Sequence, residues 1–315
     1  MNDYVLLSGR ANLPLAKKIA NILKKEIDSP ITIFSDGEVR VRITPNLRAR
    51  HVFIIQSTSS PVNDHLMELI LMIDAAKRAS ARVITAIVPY FGYSRQDRKE
   101  MPRVPISSST VAGMIQHAGA DRIVTVDIHS EQQQGFVQIP WDNLYASYSL
   151  VPAIKSKKLV NLIIASPDKG GMTRATGYAK LLKAKGIALV YKERDITLNN
   201  KSETLGMIGD VKGKDVLIVD DMIDTAGTIV HAANYLKKQG ARRVLASCAH
   251  GLFSGPALER INSSAIDEVI STDTINLRDE VIKNKKIKVA SVAPLIAKAI
   301  KRINTGDSLT KDLFL

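Results

Sequence analysis

The chain has 315 residues, 45% hydrophobic and 24% charged, a balance that supports full apolar cores and suits about two domains. Lys and Arg number 44 against 31 Asp and Glu, a formal net charge of +13, which points to small polyanionic substrates or to nucleic acid. The single cysteine, Cys248, excludes an intrachain disulfide, and aromatics at 5% are too sparse to interleave the lysines with stacking platforms, so a dedicated nucleic-acid surface is not expected.

In chain order, MNDYVLLSGRANLPLAKKIA lacks the basic-then-apolar pattern of a secretory signal. HVFIIQST (51–58) reads as a strand, and PVNDHLMELILMIDAAKRAS (61–80) as a helix with apolar residues at 66, 69, 70, 73 and 76. That helix holds the most apolar stretch of the chain, yet it carries Glu68 and Asp74 and is too short to span a bilayer. A cytoplasmic protein without a membrane partner is the expectation. ARVITAIVPYF follows as a strand, then VNLIIAS, the helical TRATGYAKLLKAKG, DVLIV, the helical TIVHAANYLKKQG and the strand RRVLASCA, in which Cys248 reads as a buried, inert thiol. Apolar strands alternating with helices predict an α/β chain of mostly parallel sheets flanked by helices. GADRIVTVDIH (119–129) aligns without gaps on GARRVLASCAH (240–250), suggesting two similar halves, with domains at 1–147 and 148–315.

VLIVDDMIDTAGT (216–228) sets two aspartates side by side where the apolar run VLIV ends. In a parallel sheet that edge is where ligands sit. Adjacent carboxylates repel, and a cation or ligand hydroxyls relieve them. The small residues of DTAGT then lead into a helix expected to begin near Thr228, whose first N–H groups suit a phosphate.

VLIVDDMIDTAGT resembles the phosphoribosyl-diphosphate motif of type I phosphoribosyltransferases. FSDGEVRV (34–41), YFGYSRQDRK (90–99), VDIHSEQQQGF (126–136), SPDKGGMTRA (166–175) and SGPALERINSS (254–264) narrow the resemblance to ribose-phosphate diphosphokinase, in order from Leu7 to Phe314. The resemblance implies two phosphoribosyltransferase-like domains and transfer of the diphosphoryl group of ATP to ribose 5-phosphate. A base-specific phosphoribosyltransferase and a non-catalytic regulatory homologue are the alternatives. It further implies Mg²⁺ as cofactor, a homo-oligomer (a hexamer built from dimers), and phosphate and ADP as allosteric effectors.

By the same resemblance Phe34, Asp36, Gly37 and Glu38 meet the adenine from a neighbouring subunit. Arg95, Gln96, Asp97 and Lys99, with Arg98 supporting, bind ATP, and His129 and Asp168 attend the metal. Asp127, two residues before His129, is expected on the same strand face. Asp168, Lys169, Gly170 and Gly171 form the diphosphate loop, where paired glycines let backbone approach the ligand. YKERDITLNNKSETLG (191–206) resembles a catalytic lid, with Lys192 and Arg194 as transition-state cations and Arg194 also toward ribose 5-phosphate. Asp220 and Asp221 hold the ribose hydroxyls, and Asp224, Thr225, Ala226, Gly227 and Thr228 hold the 5-phosphate. NLRAR around Arg48, RVPISSS and DSLTKDLF resemble the phosphate-activated class, whose bacterial members commonly carry Lys where Ser109 stands. The last twelve or so residues are expected to pack back on the N-terminal domain.

Overall fold

A computed structural model describes residues 4–194 and 203–309; the side chains of 192–205 lie outside that description. Contacts divide the chain into two units, the first running to Ala146 and resuming at Thr274–Asn276 and from Ser291, the second comprising Ser147–Asp273 and Leu277–Ala290.

The first unit contains β1 (Tyr4–Ser8), α1 (Leu13–Leu23), β2 (Ile27–Asp28), β3 (Ile31–Ile33), β4 (Val39–Val41), β5 (His51–Ile55), α2 (Val62–Arg78), β6 (Val83–Val88), α3 (Ser107–Ala118), β7 (Arg122–Val126) and β8 (Trp141–Leu144). The second contains α4 (Ser147–Lys155), β9 (Ile163–Ser166), α5 (Met172–Leu182), β10 (Gly186–Arg194), β11 (Glu203–Ile208), β12 (Asp215–Ile223), α6 (Gly227–Lys238), β13 (Arg243–Gly251), α7 (Ala257–Ser263), β14 (Glu268–Thr272), α8 (Asp279–Ile282) and β15 (Ile287–Ala290). The last helix, α9 (Ala293–Thr305), belongs to the first unit.

The first sheet runs β2-β1-β5-β6-β7-β8 with every pair parallel. All five residues of β5 are buried, as a strand covered on both faces requires. In α2 the stripe Leu66, Leu69, Met72, Ile73 and Ala76 is buried, each large side chain adding about 2 kcal/mol. Glu68 on that helix is fully buried, and its carboxylate accepts from the Arg10 Nε at 2.7 Å and the Gln56 Nε2 at 2.8 Å. The second sheet runs β11-β10-β9-β12-β13-β14-β15, parallel except where β11 pairs antiparallel with β10.

The parallel strands of both sheets share one winding: the second lies outside the first, and the third to sixth follow on its other side. An antiparallel insertion follows the second strand each time, β3–β4 in one unit and β11 in the other. This common topology corrects the repeat read from sequence. Counting the parallel strands alone, GADRIVTVDIH forms β7, the fifth of its sheet, whereas GARRVLASCAH forms β13, the fourth of its own. The resemblance of those segments reflects strand-entry chemistry, not equivalent position.

The second unit begins at Ser147, and from Ser291 the chain returns to the first. α9 buries Leu295, Ile296, Ala299 and Ile300 and packs on α1. The Ser57 hydroxyl also donates to the Thr274 carbonyl at 2.6 Å, within the first unit. Thr310, Lys311, Asp312 and Phe314 lie outside the described residues. Among the described residues no helix is long and apolar enough to cross a membrane.

Candidate active site

β9 and β12 lie side by side, Val216 opposite Ile163 and Ile218 opposite Ala165. Pairing on that side stops at Ile218, but β13 keeps pairing with β12 as far as Ile223. Asp220 and Asp221 are therefore not beyond the strand, as the run VLIV alone suggests. They sit in its second half, past the end of one neighbour and still laddered to the other, which fixes their backbone.

The Asp221 side chain is 6% exposed and that of Asp220 23%, and one Arg174 nitrogen stands within reach of both carboxylates. The Asp220 Oδ1 accepts the Asp221 N–H at 2.9 Å. Burial first, and the Asp221 charge second, push the Asp220 carboxyl up to about 8. Arg174, in the first turn of α5, opposes this from 3.9 Å to an oxygen of each acid. Beneath them, Cys248 pairs in register with Asp220; burial pushes its thiol up to about 12, so it is inert.

Two helix N-termini open beside the acids. α5 follows β9 and α6 follows β12, and neither has a side-chain cap, which leaves first-turn N–H groups available to an anion. In the loop before α5, the Asp168 Oδ1 accepts the Gly171 N–H at 2.9 Å, and the Ser166 hydroxyl donates to the Asp168 carbonyl at 2.6 Å. Lys169 and Gly170 are exposed between them. A Cβ on Gly171 would stand 2.6 Å from the Ser166 Oγ. Gly171→Ala is expected to destabilise the protein by about 1–3 kcal/mol, measurable by denaturant unfolding.

In the loop before α6 the left-handed residue is Ala226, at φ 61°, and Gly227 is already the first helical residue. A Cβ in that region costs about 1 kcal/mol, strain of the kind held at functional turns. Arg260, from α7, braces the loop by donating to the Thr225 carbonyl at 3.0 Å. Asp224, Thr225 and Thr228 complete the loop, with Thr225 and Thr228 exposed. Neither Arg174 nor Arg260 was singled out from sequence, although each lies inside a quoted motif. The arginine three residues after Gly171, one helical turn in, is the signal available for the first.

β10 continues past the end of β9, which it pairs with only as far as Leu189, and so carries Lys192 and Arg194 beyond that strand. Their backbone is strand; their side chains lie outside the described residues.

The remaining candidates are in the first unit. Phe34–Glu38 form the β3–β4 turn: Gly37 has φ 95°, the Asp36 carboxylate accepts the Glu38 N–H at 3.0 Å, and Phe34 is 48% exposed with Arg40 5.9 Å from its ring. Asp36 and Gly37 thus shape the turn, and Phe34 and Glu38 project from it. Arg95–Lys99 follow β6 and His129 follows β7, adjacent parallel strands. Gln96 is held by the Ser107 hydroxyl at 2.7 Å, while Arg95, Arg98 and Lys99 are exposed and Asp97 is half-buried. Asp127 does not share a strand face with His129. β7 ends at Val126, and Asp127 turns left-handed at φ 41°; its buried carboxylate accepts the Ala146 N–H at 3.1 Å, while His129 is exposed.

Comparison with known proteins bears on the whole chain. Residues 4–119 match the N-terminal domain of ribose phosphate pyrophosphokinase, and residues 195–314 the phosphoribosyl synthetase-associated domain. A ribose-phosphate pyrophosphokinase of Campylobacter jejuni is 48% identical over 310 residues, 98% of each chain. The chain belongs to the ribose-phosphate pyrophosphokinase family. A second member, from Helicobacter hepaticus, is 47% identical over the full length of both chains. The crystal structure of phosphoribosylpyrophosphate synthetase from Mycobacterium smegmatis superimposes with a TM-score of 0.90 at 37% identity, covering 97% of this chain and all of that one. A pyrophosphokinase fold thus accounts for both sheets.

Proposed function

We propose that the protein transfers the diphosphoryl group of ATP to the anomeric hydroxyl of ribose 5-phosphate, giving 5-phosphoribosyl 1-diphosphate and AMP. The observation that carries this is the laddered Asp220–Asp221 pair beside the uncapped N-terminus of α6. A vicinal diol and a phosphate monoester fit that pair of features together, and the family match supplies the reaction class.

In this reading Asp220 and Asp221 accept hydrogen bonds from the two ribose hydroxyls, with Arg174 holding the carboxylates in place. Asp224, Thr225, Ala226, Gly227 and Thr228 grip the 5-phosphate through backbone N–H groups and hydroxyls. Asp168, Lys169, Gly170 and Gly171 meet the diphosphate, and Phe34, Asp36, Gly37, Glu38, Arg95, Gln96, Asp97 and Lys99 take ATP. Lys192 and Arg194 offset charge gathering at the β-phosphorus, Arg194 also reaching the sugar phosphate. Positioning and neutralisation do most of the work in such transfers.

Among the described residues no three His, Cys, Asp or Glu side chains group as a metal cage. Mg²⁺ needs none, since one or two carboxylates plus substrate phosphates suffice, and the mutually repelling Asp220–Asp221 pair and the exposed Asp168 suit a cation. Asp168 and His129 are the residues assigned to Mg²⁺, and when bound it would neutralise phosphate charge around the reacting phosphorus. We further assign a cytoplasmic homohexamer built from dimers, with phosphate and ADP as effectors, to be checked by light scattering and by rates across both effector concentrations.

Incubation with ATP, Mg²⁺ and ribose 5-phosphate is the test: AMP release dependent on the sugar phosphate is expected, and ADP release or none overturns the reading. Arg260→Ala is expected to raise KM for ribose 5-phosphate about tenfold, roughly 1.4 kcal/mol. KM for ATP should stay within about twofold in the same steady-state assay.

A further inference from the structure

On the amino side of the second sheet, away from the acids, a cavity of about 260 Å³ lies between the ends of α4 and α5 and the starts of β9 and β10. Lys155, Lys158, Lys183 and Lys185 line it, and no acidic residue does. All four lysines are exposed, and among the described residues none of their ammonium groups pairs with a carboxylate. The nearby Lys157 is engaged with Glu268 at 2.6 Å and does not line the cavity.

Helix ends alone do not call for so many cations. Each helix C-terminus presents about half a negative charge, so two of them offset about one lysine. The last carbonyls are also already used: Lys157 and Lys158 N–H groups donate to Ile154 and Lys155, and Lys183 and Ala184 N–H groups to Lys180 and Ala179. Lys158 and Lys183 moreover occupy left-handed backbone at φ 49° and 53°, where glycine or asparagine sits with less strain. Ile154 and Leu162 are buried in the cavity floor, giving an apolar base under a cationic rim.

We propose that this cavity is a second anion site, separate from the substrate crevice, for a compact multiply charged phosphate compound. An uncompensated charge near +3 around a small pocket selects a diphosphate or phosphate monoester over a monovalent ion, and the floor accommodates an attached sugar or base. Lys237, Lys238 and Arg243 extend the same basic edge, which accounts for part of the +13 net charge.

Inorganic diphosphate titrated calorimetrically into the full chain tests this. The Lys158→Ala/Lys183→Ala variant is expected to bind one equivalent fewer per chain than the wild type, with AMP release unchanged. Lys237→Ala/Lys238→Ala, on the same edge but outside the cavity, is expected to keep the wild-type stoichiometry. If alanine lowers the melting temperature, Lys158→Gln/Lys183→Gln carries the same expectation. AMP and ribose 5-phosphate titrated in place of diphosphate distinguish a nucleotide from a sugar-phosphate ligand. Equal stoichiometry in wild type and cavity variant overturns the proposal. So does an equal loss in the edge control, or tight duplex DNA binding that both variants weaken alike, either of which would make the edge a diffuse polyanion surface.

Discussion

Asp220→Asn is expected to lower kcat/KM for ribose 5-phosphate about a hundredfold, roughly 2.7 kcal/mol of lost transition-state binding. The same change should make the unliganded protein more stable. In the wild type, burial and the neighbouring Asp221 hold the Asp220 carboxyl near pH 8, far above the ordinary carboxylate range. Between about pH 4 and pH 8 the unfolded chain has lost this proton and the folded chain keeps it. Folding stability contributed by this group is therefore complete below pH 4, falls as pH rises, and is flat above 8. Asparagine has no such titration. The melting temperature of Asp220→Asn should exceed that of the wild type by a margin that widens from pH 4 to 8 and then holds. A pH-independent margin would mean that the acid pair is not strained. Site geometry that favours a ligand at the expense of the empty fold is the general pattern here.

Lys192→Ala combined with Arg194→Ala is expected to cut kcat by about a thousandfold or more, since a well-placed donor to developing charge contributes about 3–4 kcal/mol. Equilibrium affinity for ATP should change less than about threefold, because the proposed contacts form only as charge gathers on the β-phosphorus. Their strand runs on past β9, next to the Asp168 loop. A retained kcat, or a large loss of ATP affinity, would remove both residues from the transition state.

Much of the second unit was legible because its signals are local. VLIV and RVLASCA are apolar over a strand's length, TIVHAANYLKKQG repeats at helical spacing, and Cys248 is buried as its surroundings imply. What escaped depends on partners distant in sequence. The acids lie inside β12 because β13 is long enough to keep pairing there, which nothing in residues 216–228 encodes. α9 shows an apolar stripe, but periodicity says only that it packs, not that its partner is α1. Arg174 and Arg260 act across loops, on Asp220 and on the Thr225 carbonyl, and a motif read along the chain sees neither contact. The reverse happened at residues 34–38, where Asp-Gly spells a turn and the structure has one. The turn rests on the Asp36 carboxylate and the left-handed Gly37, and a local pattern of that kind carries no sign of the adenine contact proposed for residues 34 and 36–38.

The most direct test is a crystal soaked with ribose 5-phosphate, Mg²⁺ and a non-hydrolysable ATP analogue. The 5-phosphate should sit against the N–H groups of residues 226–228, with both ribose hydroxyls within hydrogen-bond reach of Asp220 and Asp221 and the anomeric oxygen facing the β-phosphorus. A sugar phosphate bound elsewhere, or with its hydroxyls turned from that pair, would contradict the account.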